Sequence, residues 1–330
     1  MPDVMHDFTL YQPATLDEAL SLLARHPGAW VLAGGNDSLE WFKHRVKTPP
    51  VVIDISELDG LDGISEGADG GLMIGALTTL AGIEADARVA ARFPALAAAA
   101  GQVASPQIRN VSTIGGNVAQ DTRCSYYREG FACYRAGGRA CYAATATAMN
   151  REHALFDASL CVAVTPSDTA PVLSALGARF HIAGPDGERV LSAGQFFIGP
   201  DINVMAMTAL REDEILTAIE LPGRWAGAAQ VFEKVAERGA WDFALVNIAL
   251  AARMEGATIT AASVVCGGVA CTPYRLAEVE SLLAGAAADE TTEMLARRLA
   301  ARGAQPLGHN RFKIPLMENL VARAIRGLRA

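Results

Sequence analysis

The chain carries the same short turn twice, Gly34-Gly35-Asn36 and Gly115-Gly116-Asn117, and each copy sits where a ligand could meet bare backbone. The first follows the apolar run Ala29-Trp30-Val31-Leu32-Ala33 and precedes residues 37–44, which read as a helix. The segment Leu32-Ala33-Gly34-Gly35-Asn36-Asp37-Ser38-Leu39 is therefore a strand-to-helix turn, where free N–H groups and the positive helix end suit a phosphate. The second copy closes Ser105-Pro106-Gln107-Ile108-Arg109-Asn110-Val111-Ser112-Thr113-Ile114-Gly115-Gly116-Asn117. There two adjacent glycines again expose backbone donors, and Thr113 and Asn117 add side-chain hydrogen bonds suited to a pyrophosphate or a ring edge. Neither copy has the spacing of a nucleotide triphosphatase loop or of the dinucleotide fingerprint of the doubly wound fold. A single loop of this kind is more often a tight turn. Two together point to dinucleotide binding on a different fold.

The surrounding sequence supports a mixed α+β chain. Thr15 followed by Glu18 marks a helix start, and Val51-Val52-Ile53-Asp54-Ile55 reads as a strand. Leu72-Met73-Ile74-Gly75-Ala76 reads as another strand, with alanine-rich helices over 80–87 and 94–103. Short β-like runs at 179–182 and 215–221 lead to a boundary at Pro222-Gly223-Arg224-Trp225-Ala226-Gly227. Beyond it, residues 257–266 suggest a strand, and residues 275–302 and 315–329 suggest amphipathic helices. With 330 residues, 51% of them hydrophobic, the chain has material for roughly two domains with real cores. A formal net charge of −8 argues against a nucleic-acid partner. The most apolar stretch, residues 243–254, contains Asn247 and Arg253 and falls short of a membrane span, so no span is expected. The first residues lack the pattern of an export signal, which predicts a cytoplasmic protein, periplasmic only if a signal-bearing partner carries it.

Taken in order, Leu32 to Leu39, Gln107 to Asn117, Thr165-Pro166-Ser167-Asp168, Phe232-Glu233-Lys234 with Arg238 and Asp242-Phe243, and Gly267-Gly268-Val269-Ala270 with Pro273 and Arg275 resemble the signatures of one family. It is the FAD-binding medium subunit of the xanthine dehydrogenase and carbon monoxide dehydrogenase family of molybdenum hydroxylases. The resemblance runs from about residue 7 to residue 329. It implies a two-part FAD-binding domain over residues 1–222, like that of vanillyl-alcohol oxidase, divided into 1–58 and 59–222. A C-terminal α+β domain of the carbon monoxide dehydrogenase flavoprotein type would follow over 228–330. The FAD contacts it implies are Leu32, Ala33, Gly34, Gly35, Asn36, Asp37, Ser38 and Leu39 for the pyrophosphate. Thr113, Ile114, Gly115, Gly116 and Asn117 would form a second cradle, with Val103, Asp168, Leu216 and Lys234 beyond. In kind this agrees with the residues, since a carboxylate can hold a ribose or adenine donor and a lysine near a flavin can stabilise anionic character. The chain departs from the family at Asn36-Asp37-Ser38 and at Trp41-Phe42-Lys43-His44-Arg45, which leaves the side-chain surroundings of the first loop open.

Four of the six cysteines, Cys124, Cys133, Cys141 and Cys161, fall in one window with 8, 7 and 19 residues between them. These spacings are neither the paired pattern of a zinc ribbon nor that of a bacterial ferredoxin. Disulfides, zinc on four thiolates and an iron–sulfur cluster all remain open on spacing alone. The resemblance implies the last. Two branches of the family, 4-hydroxybenzoyl-CoA reductases and bacterial aldehyde oxidoreductases, carry a 4Fe-4S cluster in an insertion at this place, here about residues 121–162. Arg123-Cys124-Ser125-Tyr126-Tyr127-Arg128 and Asn150-Arg151-Glu152-His153-Ala154 look closer to the aldehyde-oxidoreductase type. His153 is expected to pack the loop, and Cys266 and Cys271 to be free thiols without a role.

The chain has no cysteine run for a 2Fe-2S centre and no nucleophile motif. The resemblance then implies an electron-transfer subunit, with FAD and a 4Fe-4S cluster on this chain. The molybdenum cofactor and the 2Fe-2S clusters would sit on a large and a small partner subunit, in a dimer of heterotrimers. The competing expectation is a stand-alone FAD oxidoreductase of the same fold with a structural four-cysteine metal site.

Overall fold

The computed structural model describes residues 5–67 and 69–329, arranged on three sheets. The first is parallel, with β1 (Thr9–Tyr11), β2 (Trp30–Leu32) and β3 (Val51–Asp54) in the order β1-β3-β2. The helix Leu16–Arg25 that joins β1 to β2 starts at the anticipated cap. Thr15 Oγ accepts from the Glu18 N–H at 3.2 Å, while the Glu18 carboxylate accepts from the Ala14 N–H at 2.8 Å. Its stripe of Ala19, Leu22 and Leu23 then buries against Ile53 and Ile55, which fixes the helix over the sheet.

The second sheet is antiparallel: β4 (Ile64–Glu66), β5 (Leu72–Gly75), β6 (Arg179–Gly184), β7 (Gly187–Ser192) and β8 (Ile215–Leu221), in the order β4-β5-β8-β6-β7. Leu72, Ile74, Phe180 and Ile219 meet Ile83, Phe93 and Leu96 from the alanine-rich helices. The helix expected over 80–87 ends at Ala85 and a new one starts at Ala87, because the Asp86 carboxylate accepts from the Arg88 and Val89 N–H groups and caps the second helix.

The third sheet holds β9 (Ala229–Val235), β10 (Val246–Glu255), β11 (Thr258–Gly267) and β12 (Tyr274–Arg275), in the order β12-β11-β10-β9. The apolar run near residue 250 is β10, buried on both faces. Ala249 and Ala251 pack towards the core of the second sheet, whereas Val246, Ile248, Leu250 and Ala252 pack towards the C-terminal helices. A strand covered on both sides needs no polar alternation, which explains its continuous hydrophobicity. The expected helical stretch over 275–302 divides into Ala277–Leu283 and Glu290–Ala300, with Gly285 at φ 83° between them. The last helix is Lys313–Arg326. The architecture is α+β, as the sequence patterns predicted. Among the described residues, no helix is long and apolar enough to cross a membrane.

Candidate functional site

The first sheet, the second sheet and the connection between β9 and β10 line a cavity of about 770 Å³, within the range of ligand sites. Both glycine turns line it. They touch each other there: a Cβ on Gly34 would lie 2.2 Å from the Val111 carbonyl oxygen, so only glycine lets the loops close together. Gly35 has φ 74°, a left-handed conformation natural to glycine, and the Asn36 amide donates to Ser112 Oγ at 2.8 Å.

The two turns use their backbone donors differently. Among the described residues, the N–H groups of Gly34, Gly35, Asn36 and Asp37 have no backbone or side-chain acceptor in the protein, and all four residues line the cavity. In the second turn the donors are already spent, contrary to the expectation that both glycine pairs would present them. Gly115 N–H bonds the Ala76 carbonyl at 2.8 Å, Gly116 N–H bonds Thr113 Oγ at 3.1 Å, and Asn117 N–H bonds the Thr113 carbonyl at 2.9 Å. Asn117 Oδ1 accepts from both Ser167 Oγ and Thr169 Oγ1 at 2.6 Å. Its amide nitrogen is the end left without a protein partner among the described residues.

Of the anticipated contacts, Ala33, Gly34, Gly35, Asn36, Asp37, Ser38, Val103, Thr113, Gly115, Gly116, Asn117, Asp168 and Leu216 line the cavity. Leu32, Leu39, Ile114 and Lys234 do not. Ile114 is fully buried in the second core, and Leu32 packs beside Trp41 and Phe42. Lys234 lies behind the lining residues Asp168 and Asp242, its ammonium saturated by donating to Asp168 Oδ2 at 2.6 Å and to the carbonyls of Gln102 at 3.0 Å and Asp242 at 2.8 Å. The lysine anticipated beside a flavin is thus the counter-ion of Asp168. Asn247 Nδ2 donates to the other Asp168 oxygen at 3.0 Å. Burial pushes the Asp168 carboxyl above its ordinary range, opposed by Lys234 and Asn247.

Other residues of the wall were not among the anticipated contacts, although Asp242-Phe243 stood among the family signatures. Trp241 and Phe243 are 60% and 42% exposed at the cavity rim. Trp241 and Ala104 both hold positive φ, 56° and 42°, and the Trp241 N–H bonds the Ala104 carbonyl at 2.8 Å. Two strained non-glycine residues joined by one hydrogen bond define the rim. The aromatic pair in Trp241-Asp242-Phe243, set in a connection between two strands, was the available signal.

The cysteine segment docks directly on the first turn. Asp37 Oδ1 accepts from Arg123 at 2.9 Å and Arg128 at 2.6 Å, and Arg128 lies 3.4 Å over the Trp41 ring. Trp41, one of the residues that depart from the family pattern, therefore contacts this segment. Arg123 lines the cavity and Cys124 is the next residue. Cys124, Cys141 and Cys161 lie within electrostatic reach of one another. Cys271 lies beside them: it packs with Cys161 and Cys124, donates to the Ala163 carbonyl at 2.9 Å, and together with Arg135 holds the Cys161 thiol below its ordinary range. Burial pushes Cys124 up to about 11. Cys133 instead packs with Trp41, Phe42 and Tyr127, with Cys124 at the border of the two groups. Among the described residues, no group of three or more His, Cys, Asp or Glu side chains is arranged to hold a metal ion. The anticipated four cysteines do not close into a ready-made centre, and Cys271, a free buried thiol as expected, packs against Cys161. His153, expected merely to pack the loop, places its Nε2 3.2 Å from Cys124 Sγ. Burial and the nearby Lys313 hold His153 down at about 4.

The fold and the paired loops define the class. Residues 6–224 match the FAD binding domain in molybdopterin dehydrogenase and residues 231–328 match the CO dehydrogenase flavoprotein C-terminal domain, so the chain belongs to the FAD-binding subunits of the molybdenum hydroxylase family. It is 33% identical to the aldehyde oxidoreductase FAD-binding subunit PaoB of Escherichia coli (strain K12), over 99% of each chain. It is 26% identical to the carbon monoxide dehydrogenase medium chain of Afipia carboxidovorans, over 98% of this chain and 97% of that one. Among solved structures, a Cu,Mo-CO dehydrogenase chain superposes with a TM-score of 0.78 at 25% identity, covering 99% of this chain and all of that one (100%). A chain of quinoline 2-oxidoreductase from Pseudomonas putida 86 gives 0.76, also at 25% identity.

Proposed function

We propose that this chain is the FAD and iron–sulfur electron-transfer subunit of a heterotrimeric molybdenum hydroxylase. The observation that carries the reading is the single cavity walled by both glycine turns, with one turn presenting unspent N–H donors. The donors of Gly34, Gly35, Asn36 and Asp37 would bind the pyrophosphate. Asn117 Nδ2 and the Thr113 hydroxyl would take polar edges, and Trp241 and Phe243 offer flat faces for a ring. Bound FAD supplies exchange of one or two electrons. Asp168, fixed by Lys234 and Asn247, keeps a buried carboxylate at the wall, where it can accept from a hydroxyl or amine.

The sulfur segment extends this reading. Cys124, Cys133, Cys141 and Cys161 would hold a 4Fe-4S cluster, beside the FAD cavity because Arg123 lines that cavity and Cys124 follows it. The likeness to an aldehyde oxidoreductase subunit over 99% of the chain supports the branch. A cluster would require Cys133 to leave its contacts with Trp41 and Tyr127 and turn towards the other three. The chain would carry electrons between a small 2Fe-2S subunit and an external acceptor or donor, with substrate handled on the large molybdenum subunit. A cytoplasmic dimer of heterotrimers is the assembly we infer.

Anaerobic purification of the full chain tests this: one FAD per chain with four iron and four acid-labile sulfide supports it. Replacement of Cys133 by Ser should remove the iron and leave FAD. Zinc in place of iron, or turnover of substrate by the chain without partner subunits, would favour the stand-alone flavoprotein instead.

A further inference from the structure

We propose that Arg123 and Arg128, carried by the cysteine-bearing segment, are positioning residues of the FAD site. They hold and neutralise the Asp37 and Glu40 carboxylates, and so keep the first glycine turn open to a pyrophosphate. This rests on the reading of that turn as the pyrophosphate site and is independent of any metal. Asp37 offers an open N–H to the cavity, yet its side chain brings a negative charge to the place where a diphosphate would sit. An acidic side chain beside an anion site weakens binding unless a cation faces it.

Among the described residues, four donors reach the Asp37 carboxylate, and each comes from outside the turn. Oδ1 accepts from Arg123 Nη1 at 2.9 Å and Arg128 Nη2 at 2.6 Å, and Oδ2 accepts from Trp41 Nε1 at 3.1 Å and the Asp121 N–H at 3.3 Å. The same two arginines bracket Glu40, with Arg123 Nη2 at 2.5 Å and Arg128 Nη1 at 3.4 Å from Oε2. Two carboxylates and two guanidiniums therefore cancel at the wall, where Asp37, Glu40 and Arg123 line the cavity. The next acidic group of the wall, Asp121, is paired separately with Arg135 at 3.0 Å. Arg128 is fixed as well as charged: it lies over the Trp41 ring, and its Nε donates to the Thr122 carbonyl at 2.9 Å. Arg123 rests on the Phe243 ring, 4.8 Å from its centroid. Without these cations Asp37 is free to turn its oxygens onto the open N–H groups of its own turn, a local bond that Asp readily makes. The ligand would then compete with the protein for the same donors.

The test is the FAD affinity of the full chain, read by fluorescence titration, with the melting temperature of each FAD-free variant. Arg128→Gln, which keeps a hydrogen-bond donor and loses the charge, should weaken FAD about tenfold. Adding Asp37→Asn removes the uncompensated charge and keeps the main-chain N–H at this position, and should bring affinity back to within about threefold of wild type. Wild-type affinity in Arg128→Gln overturns the proposal. So does a double variant as weak as the single one, which would show that the arginine acts by packing. If Arg128→Gln does not fold, Arg123→Gln, whose side chain is 26% exposed, undergoes the same pair of measurements with Asp37→Asn. In each of these outcomes a wild-type chain that binds FAD leaves the pyrophosphate reading standing. A wild-type chain that does not bind FAD overturns both.

Discussion

Gly34-Gly35-Asn36 and Gly115-Gly116-Asn117 are identical in letters and opposite in use. The first leaves its N–H groups open towards the cavity, while the second spends them on Ala76 and Thr113 and commits Asn117 Oδ1 to Ser167 and Thr169. The first turn recognises and the second positions. What separates them is the neighbouring chain: the Ala76 carbonyl just after β5 accepts from the second turn, whereas the Val111 carbonyl packs against Gly34 and, among the described residues, no protein group accepts from the N–H groups of the first turn. A glycine pair therefore signals close approach, but whether a ligand or another strand makes that approach is decided by tertiary structure.

The contrast can be broken at its supports. The largest effect should come from Asp168→Ala, which leaves the Lys234 ammonium buried without its counter-charge beside the Ser167-to-Thr169 segment that holds the second turn. A loss of about 3–5 kcal/mol is expected in chemical denaturation, with FAD binding falling as the wall loosens. Asp168→Asn should lose less, since it retains the acceptor for Lys234.

Next, Gly34→Ala must push the first turn off the Val111 carbonyl. Overpacking of this kind costs about 1–3 kcal/mol. Because the turn that moves is the one with open donors, the thermal stabilisation by added FAD should vanish. Asn117→Ala should cost about 1–3 kcal/mol by removing the acceptor shared by the buried hydroxyls of Ser167 and Thr169, which leaves one of them without an acceptor, yet keep a measurable FAD-induced shift of melting temperature. The smallest effect is expected for Gly116→Ala, whose Cβ would meet only Thr113 Oγ, at 3.1 Å. Its FAD affinity should stay within about threefold of wild type, under ~1 kcal/mol. An equal loss of affinity in Gly34→Ala and Gly116→Ala would erase the distinction between the turns.

Much of this was legible from local chemistry. Thr15 and Glu18 announced a helix start because capping needs only residues three apart, and the strand, glycine pair and helix around Gly34 form one contiguous signal. Pairings across the fold were not legible. Asp168 and Lys234 are 66 residues apart, and only the fold, in which the helix Thr169–Leu176 packs on β10 and β11 while β9 pairs with β10, makes them partners. Cys271 lies 110 residues from Cys161, in the turn after β11, and looked like a core thiol because nothing local ties it to the other cysteines. His153 was ambiguous for the same reason: its partner Cys124 is 29 residues away.

The most direct measurement is residue-resolved hydrogen exchange on the FAD-free and FAD-loaded chain. Gly34, Gly35, Asn36 and Asp37 should exchange rapidly without FAD and gain strong protection with it, while Gly115, Gly116 and Asn117 should be protected already and change little. Equal gains at both turns, or no gain at the first, would contradict the assignment of recognition to one glycine pair and of support to the other.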